Sequence, residues 1–186
     1  MATRAEKVAV FIDGNYLNMR LADHGFYKED LDLRLFSDLL CDGSYRFRTY
    51  YYDGKPHEDF SSKYEIEDYQ KSLTTLPRFM VKLGRVLKNE GRYRQKGVDV
   101  LLAIDLTEMS VSRRVDRVVL VLSDTDYIPA IKKARENFTL VTLYSFYEPH
   151  FSHIFKEECD DCMEITDELI LKARRQQHAL MWKATG

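Results

Sequence analysis

Apolar residues fall along this chain in short blocks separated by polar punctuation. Residues 8–12 (Val-Ala-Val-Phe-Ile) and 118–122 (Val-Val-Leu-Val-Leu) are unbroken apolar runs, the pattern of strands buried on both faces of a sheet. Residues 45–52 alternate aromatic with polar side chains and close on three tyrosines, and 138–144 is a further strand run. Shorter strands are predicted at 79–83 and, at an edge, 163–165. Helical spacing covers 16–21, 31–40, 127–136, 150–158 and 166–174; in the second of these Leu31, Leu35, Phe36, Leu39 and Leu40 share a face. Residues 57–74 are polar and predict an exposed helix. Residues 98–109 are apolar nearly all round and predict a buried one. Asn15 is expected to cap the first helix and Asn137 to close the helix after the 118–122 strand. Strands alternating with helices predict βαβ units, a mainly parallel sheet and right-handed crossovers.

Both unbroken runs end in carboxylates. The first leads into Asp13-Gly14-Asn15, the second into Ser123-Asp124-Thr125-Asp126. In a parallel sheet these tips share one rim, where open α/β sheets place ligands. Asp13, Asp124 and Asp126 are therefore expected to meet there, joined by Asp99 in the first turn of the 98–109 helix. The plain reading of Asp124 or Asp126 is a helix cap. Clustered carboxylates oppose joint ionisation, and a divalent cation is what usually makes such an arrangement favourable. An all-oxygen set without His suits Mg²⁺ or Mn²⁺ rather than zinc. Sites of this kind commonly serve phosphoryl chemistry.

The blocks Phe11-Ile-Asp-Gly-Asn15, Lys96-Gly-Val-Asp-Val100 and Leu122-Ser-Asp-Thr-Asp-Tyr127 resemble the three signature blocks of the NYN domain family, in its LabA-like branch, in family order. The resemblance covers residues 8–168. It implies a fold similar to PIN nucleases, a Rossmann-like three-layer α/β sandwich, and a metal-dependent ribonuclease. The family's metal-site acids would fall on Asp13, Asp99, Asp124 and Asp126, its polar residue beside the first Asp on Asn15, and its second-block lysine on Lys96. Tyr16 stands where a second Asn is common and Tyr127 where Phe is common; neither change removes a carboxylate. The expected reaction is endonucleolytic hydrolysis of single-stranded RNA, with Asn15 and Ser123 orienting ligands or water. A non-cleaving RNA-binding module is the alternative. A haloacid-dehalogenase-like phosphatase ranks below both, because Asn15 stands where its second Asp is required.

Composition adds a polyanion-binding element. The net charge is -2, so a basic surface must be local. Residues 78–96 supply it, with Arg78, Lys82, Arg85, Lys88, Arg92, Arg94 and Lys96 opposed by Glu90 alone. Such groups contact phosphate without sequence preference, and Tyr93 among them is placed to stack on a base. The competing reading is a solvated, charged hairpin rim. At 186 residues the chain is expected to form one domain over 1–174 with a tail at 175–186. Three cysteines, an odd number, argue for a reducing compartment. With no signal peptide or membrane-spanning stretch, a cytoplasmic protein is expected, and its aromatic content is compatible with a homodimer. Asp105 reads as a structural hydrogen-bond acceptor, Cys159 and Cys162 as a reduced structural pair, and His57, His150, His153 and Glu108 as residues outside the site.

Overall fold

The run at residues 8–12 is the axis of the sheet. β1 (Lys7–Asp13) pairs in parallel with β2 (Tyr45–Gly54) on one side and β5 (Arg117–Val121) on the other. The computed structural model describes residues 4–89, 92–147 and 151–175. Beyond β2 lie β3 (Phe79–Asn89) and the antiparallel β4 (Arg92–Lys96); beyond β5 lie β6 (Leu140–Ser145) and β7 (Asp161–Glu164). The order is β4-β3-β2-β1-β5-β6-β7. Every pairing between these strands is parallel except β3 with β4.

Alternation within the buried strands divides the core in two. Val8, Val10, Ile12, Val119 and Val121 face one layer, with α1 (Gly14–Asp23), α2 (Leu33–Leu40), α3 (Lys63–Thr74) and α7 (Asp167–Lys172). Ala9, Phe11, Val118, Leu120 and Leu122 face the other, with α4 (Val98–Val111), α5 (Ile128–Glu136) and α6 (Phe151–Glu158). Winding runs outward from β1 in one direction and from β5 in the other, so right-handed crossovers require the helices to change face there. The crevice above β1 and β5 is thus the topological switch point. No helix among the described residues is long and apolar enough to cross a membrane.

Several expectations are corrected. Asp13 caps α1, not Asn15: its Oδ1 accepts the Tyr16 N–H at 3.0 Å, and α1 therefore begins at Gly14. β3 runs on to Asn89, and the basic run forms a ribbon with β4; local charge had hidden it, because a ribbon face bathed in solvent needs no apolar alternation. α4 is not buried all round: Val100, Ile104 and Val111 are 60%, 56% and 59% exposed. Phe138 lies outside β6, 86% exposed at a φ of 62° in the turn that follows α5. His150 lies outside the described residues.

Candidate functional site at the rim of β1 and β5

The residue after Asp13 fixes the local geometry. Gly14 is pressed against the ring of Tyr51, and a Cβ there would lie 2.4 Å from it. Asp13 is thereby held at the strand tip, where its Oδ1 receives the Tyr16 N–H and the backbone N–H of Asn15 also favours its charge. Burial outweighs these bonds, and with the negative charge of Asp99 it pushes the Asp13 carboxyl up to about 6. Asp53 adds to the same repulsion.

Tyr127 joins two of the acids. It is buried in a 3₁₀ turn (Thr125–Tyr127) that follows β5. Its hydroxyl lies 2.9 Å from Asp99 Oδ1 and 3.4 Å from Asp13 Oδ2. Burial first, then the charges of Asp13 and Asp99, hold this phenol far above its usual range, so it stays protonated. It has one hydrogen to give, and the shorter contact assigns it to Asp99. Asp99 itself starts α4 after Gly97, whose φ of 83° turns the chain out of β4 and into the helix.

Asp124 and Asp126 are arranged otherwise. Both are exposed, and Asp124 Oδ1 accepts the Asp126 N–H at 2.9 Å, capping the 3₁₀ turn. Asp124 thus caps the 3₁₀ turn, while the helix expected to be capped, α5, has no side-chain cap of its own. Its charge also reaches the Tyr127 hydroxyl. Among the described residues, no three His, Cys, Asp or Glu side chains lie close enough together to hold one metal ion. The expected meeting of four carboxylates is thus reduced to a pair: Asp13 and Asp99 share the Tyr127 hydroxyl, and Asp124 and Asp126 lie exposed on their own turn. Ser123 lines a separate cavity with Cys162 and Glu164 on the β6–β7 side. Asn15 is exposed beside Asp13, with Met19 Sδ 3.6 Å from its amide nitrogen.

A further acid, Asp53, was legible by the rule that found Asp13. It ends the buried strand β2 at the neighbouring position on the rim, but the Gly-Lys-Pro after it reads as a turn. Asp53 accepts from Gln70 at 2.9 Å, Gln95 at 3.0 Å and the Gly54 N–H at 2.7 Å.

The basic run divides by face. Cross-strand register puts Val86, Lys88, Tyr93 and Gln95 on one face of the ribbon, where Tyr93 meets Phe60 edge-on at 4.3 Å and Lys88 pairs with Asp59. The other face carries Arg85, Arg92, Arg94 and Lys96, all exposed and without an ion-pair partner among the described residues. Two further cations of the run are engaged: Lys82 lies 3.2 Å from Asp105, and Arg78 donates to the Arg46 carbonyl at 3.3 Å. Asp105 also accepts from Tyr52 at 2.9 Å and acts as a structural acceptor. Burial raises the thiols of Cys159, to about 12, and of Cys162, the opposite of what a reactive thiolate needs.

The model of the NYN domain matches residues 7–166. An uncharacterized protein of Methanocaldococcus jannaschii is 35% identical over 74 residues, 40% of this chain and 30% of that protein. The match thus spans under a third of that relative's length. The crystal structure of a protein of unknown function from Vibrio parahaemolyticus superimposes with a TM-score of 0.66 at 18% identity, over 94% of this chain and 99% of that one. That likeness concerns the fold.

Proposed function

The chain belongs to the NYN domain family, and from that premise we propose that it is a metal-dependent endoribonuclease acting on single-stranded RNA. The observation that carries this reading is the meeting of Asp13 and Asp99 on one buried hydroxyl at the switch point. The donor set there is hard oxygen throughout, and burial first, then the charge of Asp99, raises the Asp13 carboxyl, a cost that a cation would relieve. These residues fit Mg²⁺ or Mn²⁺. Asp13 and Asp99 would hold the cation, with Asp124 and Asp126 completing the acidic rim. A cation bound there supplies a water of lowered pKa and neutralises charge building on the phosphate.

The chain's own groups do the remaining work. Tyr127 orients Asp99 by its hydrogen bond and packs its buried ring beside Asp13. Arg92, Arg94 and Lys96, on the free face of the ribbon that leads into α4, contact phosphates of the strand. Asn15 flanks Asp13 and would orient water or phosphate oxygens, whereas Ser123 lines the separate cavity beside β6 and β7. Tyr93 contributes an aromatic edge toward the bases.

The open arrangement of Asp124 and Asp126 favours a second reading, an RNA-binding module that does not cleave. The two separate cleanly on a labelled single-stranded RNA incubated with Mn²⁺, with Mg²⁺ or with EDTA, beside Asp13→Asn. Metal-dependent cutting lost in the variant supports the nuclease. Salt-sensitive binding without cutting under any condition supports the module.

A further inference from the structure

Between the start of α1, the end of β2 and the inward face of the β3–β4 ribbon lies a cavity of about 300 Å³. The metal chemistry proposed above does not use it. Its polar lining comprises Asn15, Asn18, Lys28, Asp53 and Gln95. Its apolar walls are Phe60, Ile66 and Val86, with Tyr93 packed edge-on against Phe60. One polar atom of a lining residue is unmet: Asn18 donates its amide to the Tyr51 hydroxyl at 3.1 Å, leaving its Oδ1 buried without a partner among the described residues. Asp53 Oδ2 accepts from Gln70 alone among the described residues, so one of its lone pairs is available.

A slot walled by aromatic and aliphatic groups and ended by amides, a carboxylate and an ammonium is the chemistry of base recognition. The walls cover the π-face, and the polar groups read the hydrogen-bonding edge. The slot also adjoins the acidic site: Asn15 stands two residues after Asp13, and the charge of Asp53 reaches the Asp13 carboxyl.

We propose that this cavity is a nucleobase subsite that selects a base offering N–H donors to Asp53 and acceptors to Lys28 and the amides, guanine before the others. Guanine presents two adjacent N–H groups beside O6 and N7, whereas uracil offers a single N–H between two carbonyls. The proposal rests on the RNA reading and deepens it. One base of the strand is seated beside the phosphate that meets Asp13 and Asp99, which makes cleavage base-selective.

The test is binding in EDTA, where no cutting occurs, of short fluorescent RNAs: an all-uridine oligomer, and the same oligomer with one central guanosine. The wild-type chain is expected to bind the guanosine oligomer about tenfold more tightly, the scale of one good edge contact. Asp53→Asn and Lys28→Gln, each checked for folding by circular dichroism, are expected to bring the two oligomers to similar affinity. Equal affinity in the wild type, or a preference that survives both substitutions, overturns the subsite while leaving RNA binding intact. If neither oligomer binds, ligand-observed NMR with GMP separates the cases. A saturable GMP signal lost in Asp53→Asn keeps the subsite and removes the RNA reading; no GMP signal overturns both.

Discussion

Two pairs of acids share the rim above β1 and β5, and the fold supports them in different ways. Asp13 and Asp99 come from a strand end and a helix start far apart in sequence and are tied through the Tyr127 hydroxyl. Asp124 and Asp126 are two residues apart, exposed, and tied by the backbone of their own turn. Within the tethered pair Asp99 is exposed, whereas Asp13 is half-buried and burial first, then the charge of Asp99, pushes its carboxyl up to about 6. The turn pair faces solvent, which screens its repulsion. Charge that is costly to hold is what a cation relieves, so on the proposed reading Asp13 is the acid that gains most from a metal, while Asp124 caps its own turn.

The largest expected effect lies in cleavage. Asp13→Asn or Asp99→Asn removes cation stabilisation worth several kcal/mol, so single-turnover cutting of RNA in Mn²⁺ should fall at least about a hundredfold. Asp126→Asn should fall far less. Equal losses from both pairs in the same assay would erase the distinction.

Next comes stability without metal. The folded Asp13 carboxyl titrates above its usual value, so its contribution is fully present below about pH 4 and is lost as pH rises through about 6. At pH 7 the ionised group is a cost, and Asp13→Asn keeps the cap of α1 while removing it. Urea unfolding in EDTA should show the variant more stable by about 1–2 kcal/mol at pH 7, after allowing for solvent screening, and the gain should vanish near pH 4.

Tyr127→Phe sharpens the contrast from the other side. It removes the hydrogen bond that ties the tethered pair, at a cost of about 1–2 kcal/mol in the same unfolding experiment. The turn pair, which uses no part of that hydroxyl as a cap, should be unaffected. The smallest effect is on the stability of Asp126→Asn, within about 0.5 kcal/mol, as for exposed positions without a special contact.

How much of this was legible depended on range. The strands at 8–12 and 118–122 declare themselves because burial on both faces demands apolar side chains throughout. Asp13, Asp99 and Asp124 follow from those strands and from the start of α4, together with the rule that parallel strands end on one rim. Tyr127 was legible as a position but not as a bridge: its hydroxyl meets acids 28 and 114 residues away, and no local pattern encodes that. The ribbon of β3 and β4 was obscured because its outer face is charged and solvated. Asp53 is masked in the sequence because Gly54 and Pro56 give the end of its strand the chemistry of a turn. The open face of α4 could not be foreseen, since an apolar residue reads the same whether it is covered or not.

Calorimetric titration of Mn²⁺ into the wild-type chain, Asp99→Asn and Asp126→Asn at pH 7.5 tests the central claim most directly. The tethered pair predicts saturable binding in the wild type, its loss in Asp99→Asn and its retention in Asp126→Asn. Binding that survives Asp99→Asn and disappears with Asp126→Asn would contradict it.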